Sequence, residues 1–222
     1  MSTSTFSIAA LFAGGTVRLE PEGRESGIVK RPVAGRVAVD TLGLAGDVQC
    51  DRRVHGGPEK AVHQFATLGY RRLAEHAPEL APLLTAGSIG ENVCADGMDE
   101  TNVRIGDVYR AGTVLLQVSQ PRSPCWKIDR RFGADGLAAF VASRFITGWY
   151  YRVLRPGHLE TGDAIVLEDR PSGAPSIHRF WSIQSAHRPD LDELRALAEA
   201  SGLAPDWKRR LEQRLAWLRA HG

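Results

Sequence analysis

The stretch "TVLLQVSQPRSPCWKIDRRF", residues 113–132, joins two textures. In its first half Val114, Leu116 and Val118 alternate with Thr113, Leu115 and Gln117, the period-two pattern of a half-buried strand. In its second half Cys125 follows Pro121 and Pro124, which hold φ at about −65° and restrict the residue before each. Arg122, Lys127, Arg130 and Arg131 surround that cysteine in sequence. A thiol in stiff backbone among cations is favoured as thiolate, the form that attacks or ligates metal. The same residue could equally plug the end of a strand as a small apolar group.

Working outward, "YYRVLRPG" (150–157) and "AIVLEDRP" (164–171) read as further strands, each bounded by Gly or Pro. In the first of these, Tyr150 and Arg152 share one face and Tyr151 takes the other. The pairs Gly46-Asp47, Gly106-Asp107 and Gly162-Asp163 read as turns at strand edges. "TLGYRRLAEHAPEL" (67–80) predicts one helix, with Thr67 as its cap and Leu68, Leu73 and Leu80 on its apolar side. After the linker "RPSGAPS" (170–176) the texture turns helical. "DLDELRALAEASG" has an acidic start, Leu191, Leu194 and Leu197 on one face and Gly202 as a stop. "APDWKRRLEQRLAWLRAHG" places Pro205 in a first turn and spaces Trp207, Leu211, Leu215 and Leu218 helically. The expected fold class is mainly β (α+β), with a β domain over 1–170 and a helical unit over 175–222.

With 43% hydrophobic and 24% charged residues in 222, the chain has the composition of an ordinary globular protein. A net charge of +2 is too small to suggest nucleic acid, so any basic patch is local and suits a small anion. No window approaches the roughly 18 apolar residues of a membrane span. No Lys or Arg precedes Arg18, and the three cysteines, Cys50, Cys94 and Cys125, form no disulfide framework. A cytoplasmic location with a free Cys125 thiol is the expectation.

Three more stretches carry candidate chemistry. In "GDVQCDRRVHGGPEKAVHQF" (46–65), Gly56 and Gly57 sit between Arg52, Arg53 and His55 on one side and Lys60 on the other. That arrangement suits either a phosphate cradle or a tight turn with solvated flanks, and no Walker lysine follows. "GSIGENV" (87–93) puts Glu91 and Asn92 on a turn, and "GWYYRVL" (148–154) sets three aromatics before Arg152. No His-x-x-x-His or Cys-x-x-Cys pair occurs, which argues against a local zinc motif.

Together "DRRVHGGPEKAV", "GSIGENV", "VSQPRSPCWK" and "GWYYRVLRPG", in this order and spacing, resemble the MOSC domain family, named from the C-terminus of molybdenum-cofactor sulfurases. The likeness is to its YiiM-like bacterial branch, in which a three-helix extension follows the domain. It implies a β-barrel-like domain with a few helices and a molybdopterin-type molybdenum cofactor in a basic cleft. It also implies Cys125 as molybdenum ligand and reduction of N-hydroxylated compounds, among them toxic N-hydroxylated purine analogues. On that basis Arg53, His55, Gly56, Gly57, Lys60, Arg122, Lys127 and Arg152 are candidates to hold the cofactor. Asn92 is a candidate to bond the pterin, and Tyr151 to line the pocket. Ile89 stands where relatives commonly carry an aromatic residue, and Cys94 where a different small or apolar residue is usual.

No Gly-x-Gly-x-x-Gly fingerprint and no ferredoxin cysteine set appear, so electrons are expected from separate donor proteins. Two other functions fit the same residues. One is a cofactor or sulfur carrier without turnover, and the other is a metal-free cysteine hydrolase built from Cys125 and His55. A homodimer stays open.

Overall fold

A computed structural model describes residues 5–50 and 56–221. Its strands are β1 (Thr5–Ala13), β2 (Val17–Leu19), β3 (Arg24–Ser26), β4 (Arg31–Pro32), β5 (Val37–Asp40), β6 (Gly43–Leu44) and β7 (Val62–Ala66). There follow β8 (Val93–Ala95), β9 (Val108–Ala111), β10 (Val114–Pro121), β11 (Trp149–Arg155), β12 (Gly157–Leu159) and β13 (Ala164–Asp169). The helices are α1 (Thr67–His76), α2 (Lys127–Phe132), α3 (Leu137–Ser143), α4 (Ile177–Ser185), α5 (Leu191–Ala198) and α6 (Pro205–His221).

Seven strands form a closed barrel in the order β13, β9, β10, β11, β7, β8, β1, because β1 pairs back onto β13. Closure leaves the barrel no free edge of backbone donors and acceptors. Alternation explains the register. In β10, Val114, Leu116 and Val118 are buried while Leu115 and Gln117 are half-buried, as the sequence pattern requires. β7 runs parallel to β8 and is buried at every position, so His63 and Gln64 enter the interior with Val62 and Phe65. The three Gly-Asp turns form as expected, with φ of 81° at Gly46, 82° at Gly106 and 94° at Gly162.

Two local expectations are corrected. Thr67 is not the cap of α1 but its first residue, since Ala66 takes the cap position without a side-chain bond. The buried side of that helix is Gly69, Tyr70 and Leu73. The basic run after Cys125 is not loop: Lys127–Phe132 is helical and buries Ile128 and Phe132 in a second apolar cluster with α1 and α3.

The C-terminal helices share the barrel's own core. Phe180, Leu194, Trp207, Leu211 and Leu215 belong to one apolar cluster with Val114, Val118 and Tyr151. Ser176 caps α4 by accepting from the Arg179 N–H, and Asp190 caps α5 by accepting from Asp192 and Glu193. Leu191 does not join the buried face and is among the exposed apolar residues. The 170–176 segment is bolted down: Arg170 pairs with the buried Asp107 at 2.7 Å, and Ile105 N–H donates to the Pro175 carbonyl at 3.0 Å.

Glu100 is a second bolt. Its carbonyl accepts from His178 at the start of α4, and its carboxylate Oε1 accepts from Gly148 N–H at 2.8 Å. Burial pushes this carboxyl from its ordinary 4.5 up to about 7, against the pull of the Gly148 bond. An acid with a raised native pKa binds its proton more tightly when folded, so stability falls as pH rises from 4.5 through about 7. Glu100→Gln keeps an oxygen for Gly148 and has no proton to lose. In urea unfolding between about pH 4 and about pH 8, its stability relative to wild type should improve by about 3 kcal/mol. Parallel pH curves for the two proteins would show that Glu100 does not carry this effect.

Candidate functional site

β10 delivers the Cys125 loop to the rim of a cleft of about 600 Å³. Arg122 N–H donates to the Gly148 carbonyl at 3.1 Å, and the Cys125 carbonyl accepts from Ile128 at 3.0 Å. The loop is thus tied at both ends, and half-buried Cys125 faces the cleft. Of the four sequence-adjacent cations, Arg122 and Lys127 line the cleft. Arg130 instead pairs with Glu22 at 2.7 Å, and Arg131 lies 5.8 Å from the Phe132 ring centre. Lys60 and Lys30 arrive from elsewhere in the chain, and sequence reasoning missed Lys30.

Lys60 ends a short turn, Pro58–Lys60, whose support explains two corrected expectations. Arg152 does not reach the cleft. Its Nε donates to Glu59 Oε2 at 2.9 Å and its Nη1 to Gln117 at 2.7 Å, so it holds the turn that presents Lys60. Ser119 adds a bond from its hydroxyl to the Glu59 carbonyl at 2.6 Å. Gly57 is not an open anion cradle either, because its N–H donates to Gln49 Oε1 at 2.9 Å. The glycine pair has a packing reason. Gly57 takes φ 88°, and a Cβ on Gly56 would stand 2.3 Å from the Gln49 side-chain oxygen. Both glycines border a shallow pocket against the start of α6, outside the main cleft.

Asn92 lies in the cleft wall, yet its amide is engaged in the protein. Nδ2 donates to Asp47 at 2.9 Å and to the Phe12 carbonyl at 3.2 Å, while Oδ1 accepts from His63 N–H at 3.0 Å. Asp47 in turn pairs with Lys30, both almost fully buried, so much of the Lys30 charge is answered within the protein. The neighbouring Glu91 is fully buried, accepting from the Gly87 N–H, the Tyr70 hydroxyl and Cys94 Sγ. It is a pin for the 87–93 loop and no part of the cleft. Cys94 is sealed beside it, where burial first and the Glu91 charge second push its thiol far above the ordinary range. Ile89 does line the cleft.

Tyr151 is also corrected. It points into the barrel core, where its hydroxyl donates to Gln64 Oε1 at 2.7 Å. Its neighbour Tyr150 lines the cleft with His63, their ring centres 5.1 Å apart. Burial raises the Tyr150 hydroxyl's pKa, with Arg122 pulling against it and Cys125 adding to it, so the phenol keeps its proton at neutral pH. Burial first and Arg122 second hold His63 well below its usual range, so its imidazole is neutral. Parity along β11 separates Tyr150 from Tyr151, but only the packing tells which face meets the cleft. Cys50 borders the cleft too, its thiol raised by burial against the pull of Lys127.

The donor set suits an anionic cofactor carrying a soft metal. Arg122 is 6% exposed, and its Nη1 has no hydrogen-bond partner among the described residues. A buried guanidinium nitrogen without a protein partner is a place for an anionic oxygen. Lys127 makes no ion pair among the described residues. No group of three or more His, Cys, Asp or Glu that could hold a metal ion occurs among those residues, and the cleft's sulfur donors are the half-buried Cys125 and Cys50. Arg53 and His55, and with His55 the hydrolase pairing, lie outside the described residues. No helix of the structure is long and apolar enough to cross a membrane.

The MOSC domain profile matches residues 51–166, and the profile of the YiiM-like, 3-alpha helix domain matches 175–216. The chain is 37% identical over 201 residues to Protein YiiM of Escherichia coli (strain K12), spanning 90% of this chain and 89% of that one. The crystal structure of YiiM from Geobacillus stearothermophilus superposes with a TM-score of 0.80 at 31% identity, over 95% of this chain and 99% of that chain. A protein of Gibberella moniliformis (strain M3125 / FGSC 7600) named "Reductase" is 35% identical over 164 residues, 73% of this chain and 28% of that protein. The chain belongs to the MOSC domain family, a family associated with the molybdenum cofactor, and to its branch with the YiiM-like three-helix domain.

Proposed function

We propose that the chain is an oxidoreductase that holds a molybdopterin-type molybdenum cofactor in the 600 Å³ cleft, with Cys125 as protein ligand to the metal, and reduces N-hydroxylated compounds such as N-hydroxylated purine analogues. The observation that carries this reading is the meeting of Cys125, in its proline-stiffened loop, with the partnerless buried nitrogen of Arg122 in one basic cleft. The fungal relative named as a reductase supports the redox class.

Bound there, the cofactor would supply the two-electron reduction of an N–OH group to N–H with release of water. The protein's part is positional and electrostatic. Pro121 and Pro124 hold the sulfur ligand still, as a metal site needs. Arg122 and Lys127 supply charge-assisted donors to the cofactor's phosphate, and Lys60 is fixed at the rim by the Arg152–Glu59 pair. His63 stays neutral, so the cleft's positive charge comes from its Arg and Lys side chains. Tyr150 keeps its proton and can donate a hydrogen bond beside Cys125. Electrons come from separate donor proteins.

Two measurements test this. Cys125→Ser alters volume little, so its thermal unfolding should match wild type. With an artificial electron donor, its reduction of an N-hydroxylated purine should fall about 100-fold or more. Wild-type rates in that variant would remove Cys125 from the metal. The second measurement is cofactor retention against salt. Lys127→Ala should lower retention at low ionic strength and flatten its salt dependence, because a cation only half-buried is screened. Arg122→Gln should lower retention about tenfold at every salt concentration, because that guanidinium is buried. Retention indifferent to both substitutions would exclude a phosphate site here.

A further inference from the structure

Two short stretches of the chain share an unusual make-up. "WKIDRRF" (126–132) runs from the Cys125 loop through α2, and "PDWKRRL" (205–211) opens α6. Each sets a tryptophan before three cations and contains one acid, for a net charge of +2. Together they carry +4, twice the +2 of the whole chain, so all the remaining residues sum to −2. The fold brings the two stretches side by side, since Trp126 and Arg210 border one opening beside Cys125. We propose that this face, Trp126 with the cations of α2 and of the first turns of α6, is the docking surface for an acidic one-electron-donor protein.

Much of the charge on this face is unspent. Arg130 pairs with Glu22 at 2.7 Å, and Arg209 with Asp206 at 2.5 Å. Lys127, Arg131, Lys208 and Arg210 make no ion pair among the described residues. Asp129 does not answer them, because its carboxylate accepts from the backbone N–H groups of Gly136 and Ala138. Trp126 is 38% exposed. A large indole left in water among cations has the make-up of an interface centre with a charged rim. Such a rim speeds encounter with a surface of opposite charge and orients it on arrival.

Position selects the partner. Trp126 is bonded directly to Cys125, so a protein seated on that indole brings its electron carrier close to the candidate metal ligand. The chain has no nucleotide fingerprint and no ferredoxin cysteine set of its own. Each N–OH group reduced takes up two electrons and two protons and yields N–H and one water. Two reduced donor proteins supply the electrons singly, and solvent supplies the protons. A lipid surface fits less well. α6 spends Trp207, Leu211 and Leu215 on the core, which leaves its first turns no apolar side to insert.

This assignment rests on the reductase reading, and one set of measurements separates the two. The probe is a flavodoxin, a small acidic protein that releases electrons one at a time from a bound flavin. Calorimetric titration of the cofactor-loaded protein at low ionic strength should show flavodoxin binding weakened about tenfold by Lys208→Glu and likewise by Arg210→Glu. Added salt should weaken wild-type binding more steeply than binding by either variant. Arg219→Glu, at the far end of α6, should bind as wild type does, and thermal unfolding of all three variants should match wild type. KM for flavodoxin in reduction of an N-hydroxylated purine should rise in parallel, while turnover driven by reduced methyl viologen stays unchanged. Absent flavodoxin binding would overturn the assignment. So would binding indifferent to both substitutions, or weakened equally by Arg219→Glu. Loss of binding to phosphatidylglycerol vesicles in the two variants, with flavodoxin affinity unmoved, would give the face to a membrane instead. A protein inactive with methyl viologen that still bound flavodoxin through Lys208 and Arg210 would keep the docking face and lose the reductase reading. Methyl viologen turnover without any effect of the face on flavodoxin would do the reverse.

Discussion

A guanidinium held out of water with one nitrogen unpaired is the constraint around which the site is built. Arg122 sits between β10 and the Cys125 loop, its backbone fixed to Gly148, its side chain beside Tyr150 and His63. Burying a cation without a counter-charge costs several kcal/mol, more than a single neutral hydrogen bond returns. The protein offsets that cost only in part. Tyr150 gives the guanidinium a side-chain hydrogen bond but, keeping its proton, no counter-charge. The charge is left for an anion that the cleft can admit.

The rest of the cleft shows the same division between residues that act and residues that hold. Arg152, Glu59 and Ser119 fix the turn bearing Lys60, and Asn92 fixes Asp47, which fixes Lys30. These bonds span barrel strands and excursions far apart in the chain, so the closed barrel is what makes them available. An exposed lysine on a free loop is a weak and salt-sensitive partner. A lysine on a turn bonded from two sides is placed before any ligand arrives, and less ordering cost falls on binding.

Much of the fold was legible because it follows from period and punctuation. The alternation in β10 and β11, the Gly-Asp turns and the leucine spacing of α5 and α6 each encode a local preference that packing then satisfies. Less legible were the elements whose character comes from their neighbours. β7 reads as a mixed polar segment, but it is buried throughout: Tyr151 answers the Gln64 side chain and Asn92 holds the His63 backbone N–H. α2 hides in a basic run because its buried side is only Ile128 and Phe132.

The site divides in the same way. Cys125, Arg122 and Lys127 were readable from one proline-rich stretch, since they are close in sequence and the loop is stiff. Lys30, Asp47, His63 and Tyr150 come from separate strands and turns, and no spacing connects them. Arg152 and Gly57 show the opposite hazard: both carry groups an anion would take, and both spend those groups on the protein. Residue type proposes a ligand, but the partner already bonded to it decides. By that standard Arg122 stands apart among the cleft's cations, because it is buried and its Nη1 has no partner among the described residues. The Cys125 sulfur lines the same cleft. A buried cation left part-unpaired beside a sulfur is hard to explain as packing, which fills such positions with carbon. It follows directly if an anionic cofactor occupies that cleft.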